Sequence, residues 1–175
     1  MRHSPHRNRA GMTLLELMAA TTIMATLMAS VVVLVRSSYA VWQAHETDME
    51  AAETAYATLR HVVRSARQAT AVTAISTSGD TSGNLSLAME SGDTLLWQHS
   101  GVGGQVLFGI APGSADQLLA DNIDQMTFVG YEADGTTATT TVADIRSIKC
   151  TVQVTMPAAG GTTRTVSSHA WIRSW

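Results

Sequence analysis

From Met12 to Val35 the chain is apolar for 24 residues, interrupted by one charge, Glu16. At about 1.5 Å per residue a helix of that length reaches roughly 36 Å, more than the ~30 Å hydrocarbon core of a bilayer. From Arg36 to Thr70 the pattern changes but no Gly or Pro intervenes, and Ala, Glu, Gln, Arg and Leu, all good helix formers, are frequent. Trp42, His45, Met49, Ala52, Tyr56, Leu59, Val63 and Ala66 recur at alternating spacings of three and four, a stripe that predicts one covered helix face. With no break signal between the two stretches, a single helix is expected from Thr13 to Thr70.

Beyond Thr70 helical periodicity disappears and Thr, Ser, Gly and Val dominate. Asn84–Met89 and Thr94–Gln98 read as a hairpin turning through Ser91-Gly92-Asp93, and Gln105–Ile110 as a further strand. Pro112 to Asp124 reads as irregular or a short helical turn. Met126–Glu132 reads as a strand ending at Asp134-Gly135, and Thr136–Thr141 as a polar loop. The clearest strand is Ser147–Met156. Ile148, Cys150, Val152, Val154 and Met156 alternate with Lys149, Thr151, Gln153 and Thr155, which demands one buried and one solvated face. After a turn at Pro157–Thr162, Thr163–Arg173 returns as the last strand. A long helix followed by an antiparallel sheet gives an α+β fold, with the sheet's apolar face on the outer half of the helix.

Charge adds an orientation. Arg2, Arg7 and Arg9 precede the apolar run and Arg36 alone follows it closely, which places residues 1–11 in the cytoplasm and the residues after Val35 outside. From Ala71 onward nine acids face four bases, a balance of −5, which argues against electrostatic binding of nucleic acid. Within the helix Glu46, Asp48, Glu50 and Glu53 come first and Arg60, His61, Arg64 and Arg67 last, the arrangement a helix C-terminus favours. The one Cys, Cys150, excludes an intrachain disulfide. A secretory signal cleaved after Ser38-Tyr39-Ala40 would have a shorter apolar region, usually about 7–15 residues. A plain anchor accounts for the length. It also tolerates Glu16 near the surface and in the first turns, but leaves the Gly ahead of the run without a reason.

The leader and the start of the run, Gly11 followed by Met12-Thr13-Leu14-Leu15-Glu16-Leu17, resemble the type IV prepilin cleavage and methylation motif, shared by type IV pilins and the pseudopilins of type II secretion. Members commonly carry Phe where Met12 stands, and major pilins often have a Pro inside the apolar helix, absent here. The resemblance implies cleavage after Gly11 by a prepilin peptidase, N-methylation of Met12, and a role for Glu16 in subunit packing. It implies a pilin-like α+β fold: leader 1–11, transmembrane half 12–35, amphipathic half 36–70, and sheet head 71–175. Implied partners are other pilin or pseudopilin subunits, the peptidase and membrane lipid, with no nucleic acid. The protein would sit in the inner membrane with its head in the periplasm, before incorporation in a pseudopilus. Leu119–Phe128 with Tyr131, Asp134-Gly135, Asp144–Lys149 and the closing Ala170–Arg173 are similar to larger minor pseudopilins of the J type. The expected function is thus a minor pseudopilin; the alternative is a minor type IV pilin of a DNA-uptake, adhesion or motility filament.

Catalytic chemistry finds no support. The sequence has no Gly-rich phosphate loop, HExxH, paired-cysteine site or GxSxG, so no catalytic residue, cofactor or enzyme activity is expected. His45, His61, His99 and His169 lack metal-ligand spacing. Asp121 and Asp124, with Asn122, offer hard oxygen ligands but lack the spacing of a calcium loop, leaving them weak metal candidates. Cys150, on an apolar strand face, reads as a small buried hydrophobe. Trp97 and Trp171 are expected to pack in core or sheet, with Trp175 a further surface candidate.

Overall fold

The computed structural model describes residues 12–173. The helix α1 runs Leu14–Ala66 without interruption. It stops four residues short of the expected end. Gln68 N–H turns back onto the Ser65 carbonyl, and the chain enters β1, Ala69–Ile75. That strand was not expected. Its register against the next strand shifts between Ala69 and Ala71 and again between Val72 and Ala74, and such bulges erase the period-two signal.

The chain divides after Gln43 into two units. Within the first, α1 is exposed along its length, with Leu14, Leu15, Ile23, Leu27, Val31 and Leu34 all more than half accessible. An apolar helix bare on every side needs lipid or other helices around it. The second unit carries the rest of α1 and the nine strands found among the described residues. The strands after β1 are β2 Asn84–Met89, β3 Thr94–His99, β4 Val106–Ala111, β5 Gln117–Ala120, β6 Gln125–Tyr131, β7 Ala138–Thr139, β8 Ser147–Met156 and β9 Thr162–Trp171. They form two antiparallel sheets, β1-β2-β3-β4-β5 and β7-β6-β8-β9, where one was expected. Strand β5 lies in the stretch read as irregular or helical, and β7 in the stretch read as loop. Both are too short to carry periodicity.

The β2–β3 hairpin turns where expected. Met89 N–H bonds the Asp93 carbonyl and Gly92 N–H the Met89 carbonyl, with Gly92 at φ 91°, a conformation that favours glycine. The two sheets meet at Gly83, whose N–H donates to the Met126 carbonyl at 2.8 Å. A Cβ on Gly83 would lie 2.6 Å from that carbonyl oxygen, so this junction requires glycine. Phe128, Met126, Val152, Val154, Leu85, Leu87 and Trp97 are buried in one cluster with the helix face.

That face is not quite the expected stripe. Ala52, Ala55, Leu59, Val62 and Ala66 are buried, whereas Met49 is 71% and Tyr56 44% exposed. The stripe shifts by one residue at alternate positions, choosing Ala55 over Tyr56 and Val62 over Val63. A small residue there lets helix and sheets approach closely. On β8, Ile148, Cys150, Val152 and Val154 face inward as the alternation requires. Trp171 departs from expectation. Val166 and Ala170 take the inward positions of β9, so Trp171 points out and is 54% exposed.

Candidate functional site

The residues singled out at the N-terminus meet at the first turn of α1. Thr13 N–H donates to Glu16 Oε2 at 2.9 Å, and Thr13 Oγ1 donates to the same oxygen at 3.1 Å. Glu16 N–H in turn donates to Thr13 Oγ1 at 3.2 Å, and Leu17 N–H to the Thr13 carbonyl at 3.1 Å. This is a capping box. Thr13 is the N-cap and Glu16 reaches back three residues, so two of the orphan donors of the helix start are satisfied reciprocally. The carboxylate that looked like an isolated charge in an apolar run therefore has local partners. Thr13 was missed as a functional residue, although the Thr-x-x-Glu spacing ahead of an apolar run is itself the sign of a cap. Met12, one residue earlier, is 74% exposed. Gly11, the expected cleavage position, lies outside the described residues.

The remaining polar groups of the apolar segment are also accounted for. Thr21, Thr22, Thr26 and Ser30 donate their hydroxyls to the carbonyls of Met18, Ala19, Ile23 and Thr26, at 2.8–2.9 Å. Hydroxyls folded back in this way present no unsatisfied donor to hydrocarbon. Among the described residues α1 is one helix long and apolar enough to cross a membrane.

Elsewhere the polar side chains work locally. His61, half-buried on α1, accepts a hydrogen bond on Nδ1 from Trp97 Nε1 at 3.2 Å. It also stacks edge-on against Phe108 at 5.1 Å between centroids. Burial, and then the positive charge of Arg64, hold its pKa below the ordinary value. His99 is fully buried: its Nδ1 accepts from Gly101 N–H, which leaves the proton on Nε2, facing the Ile123 carbonyl at 2.8 Å. Cys150 is buried and its thiol is pushed up to about 12 by desolvation, so it offers no thiolate. Asp134 sits well below the usual carboxylate range, because the Thr137 hydroxyl and the Thr136 and Thr137 amides donate to it. Asp121 and Asp124 are both exposed, and Asp124 Oδ2 accepts from Thr155 Oγ1 at 2.7 Å. Among the described residues no three His, Cys, Asp or Glu side chains converge as metal ligands would.

A capped carboxylate opening an exposed apolar helix, followed along the chain by an antiparallel α+β head, is a pilin-like arrangement. Residues 6–32 match the family model described as the prokaryotic N-terminal methylation motif, a match that supports likeness to type IV pilins and pseudopilins. No curated protein and no solved structure matches the chain.

Proposed function

We propose that the protein is a minor pseudopilin of a type II secretion pseudopilus, of the J type. It is made with residues 1–11 in the cytoplasm, cleaved after Gly11 by a prepilin peptidase and N-methylated on Met12. It is held in the inner membrane by residues 12–35. Residues 36–70 continue as the amphipathic segment, and the head, 71–175, lies in the periplasm. Its work is assembly through α1 with sister subunits; it performs no catalysis and holds no cofactor or metal at Asp121 or Asp124. The capped Glu16 at the head of an all-exposed apolar helix carries this reading. In the lone chain its carboxylate is held by Thr13. In a bundle of staggered helices it can exchange that partner for the Met12 amine of a neighbour, which offsets the cost of burying both charges. An apolar helix without Pro supports a minor subunit over a major pilin, and the acidic head speaks against a filament that contacts DNA directly.

The test is deletion of the gene in its native host, with export of secreted enzymes, natural transformation and surface motility followed in parallel. Loss of export alone supports the proposal. Intact export with lost transformation or motility assigns the protein to a type IV pilus instead.

A further inference from the structure

The two sheets have four outer edges, and three are blunted. Strand β5 has four residues and β7 two, and β1 carries two register shifts. These are the ordinary devices that stop a foreign strand from adding to a sheet. The fourth edge is β9. It pairs with β8 over ten consecutive residues without a shift, and no described strand lies on its other side. It contains no Pro, and its one charged side chain, Arg164, is turned onto Tyr56, with a hydrogen bond at 3.2 Å and the guanidinium 5.6 Å from the ring centre.

Which backbone groups of β9 are open follows from the ladder. The Gln153 carbonyl accepts from Asp124 N–H, so odd-numbered residues of β8 bond toward β6 and even-numbered ones toward β9. Register then pairs Ile148, Cys150, Val152 and Val154 with Ala170, Ser168, Val166 and Arg164. The intervening residues Thr163, Thr165, Ser167 and His169 direct their N–H and C=O away from the sheet. Two bonds just beyond the strand agree with this. Ile172 N–H donates to the Arg146 carbonyl on the β8 side, and Arg173 N–H to the Ala69 carbonyl on the opposite side. Four residues in alternation thus offer a row of donors and acceptors at strand spacing. Another extended backbone matches such a row, and it pairs antiparallel or parallel without side-chain rearrangement. Beside Arg164, under the inner face, an open groove of about 670 Å³ runs along α1 past the exposed Met49 and Tyr56.

We propose that β9 is a docking edge for an extended segment of a different polypeptide, which adds as a fifth strand of the second sheet. The incoming strand alternates polar residues, continuing the outer face of Thr163, Thr165 and Ser167, with apolar residues over the groove, and places an acid opposite Arg164. The identity of the occupant rests on the filament-subunit reading. Among the described residues a copy of this chain has only one such edge, so two copies pairing through it would close as a dimer and could not propagate along a filament.

The test uses the full chain in detergent micelles and a short synthetic peptide alternating Thr with Val, one central Val replaced by Glu. Amide exchange is read by NMR and binding by fluorescence anisotropy. Expected are saturable binding and slowed exchange at Thr163, Thr165, Ser167 and His169, with no change at Arg164, Val166 and Ser168. Ser167→Pro removes an edge donor but no ladder bond, so it should abolish binding at an unchanged melting temperature. Arg164→Gln should weaken it. Absence of slowed exchange in the wild type overturns the proposal, whether or not the Pro variant folds, and so does undiminished binding to a folded Ser167→Pro. Exchange already slow at those four amides in the isolated chain, with sedimentation as a dimer, shows a second copy on the edge and overturns it equally. None of these results bears on cleavage after Gly11, which mass spectrometry reads separately.

Discussion

Replacing Val152 with Asp puts the packing of the head to a quantitative test. Val152 is fully buried, between Met126 on β6 and Val166 on β9, and faces the helix. Losing its side-chain burial costs about 1.5–3 kcal/mol. The new carboxyl has no partner in that cluster and stays protonated. Holding it so at pH 7, roughly three units above its ordinary pKa, costs a further ~4 kcal/mol. The sum, about 5–7 kcal/mol, rivals the whole stability of an ordinary domain, typically 5–15 kcal/mol. Thr151→Asp is the control. Thr151 is half-exposed on the opposite face, beside Thr127 and Ser167, and the change should cost less than about 1 kcal/mol. The pH dependence has a definite sign. The folded-state pKa of the buried carboxyl is raised, so the cost of Val152→Asp grows as pH rises above the ordinary carboxylate range and shrinks as pH falls through it. Urea melts of both variants at pH 4.5 and 7 measure this. Equal destabilisation of the two, or a deficit that does not change with pH, would refute the assignment of faces on β8.

His61 gives a second pH effect. Its folded pKa lies below the unfolded value near 6.5, so the stability its neutral form contributes is complete above that value and is lost as pH falls below it; His61→Leu should flatten the melting temperature between pH 7.5 and 5 relative to wild type. Gly83→Ala places a methyl 2.6 Å from the Met126 carbonyl, and the separation of the sheets it forces should cost about 1–3 kcal/mol in a urea melt, whereas Gly79→Ala, with open space around it, should not. Glu16→Ala should insert and be cleaved normally but fail to crosslink to sister subunits in cells, because the Met12 amine then has no carboxylate to meet; wild-type crosslinking yields would remove Glu16 from assembly.

What could be read from the sequence follows how much of each element's pattern is local. The apolar run and its Glu16 stand out because the run is long and the charge is single. Strand β8 is legible because ten residues alternate without a fault. Strand β1 is not, since two bulges scramble its alternation, and β5 and β7, four and two residues long, are too short to show a repeated alternation. The division into two sheets has no local mark at all; it depends on Gly83 meeting Met126, more than forty residues away in sequence. The helix face was read one residue off at Tyr56 and Val63, because hydrophobicity favoured the larger side chain where packing chose Ala55 and Val62. The cap at Thr13 is present in the Thr-x-x-Glu spacing, masked by the single charge that stands out in the apolar run.

The N-terminus of the protein as it exists in the membrane offers the most direct test. Intact mass and N-terminal sequencing of the chain purified from native membranes should give a polypeptide that begins at Met12 and carries one added methyl group. A chain that still begins at Met1, or one that begins at Val41 after cleavage at Ala40, would contradict it.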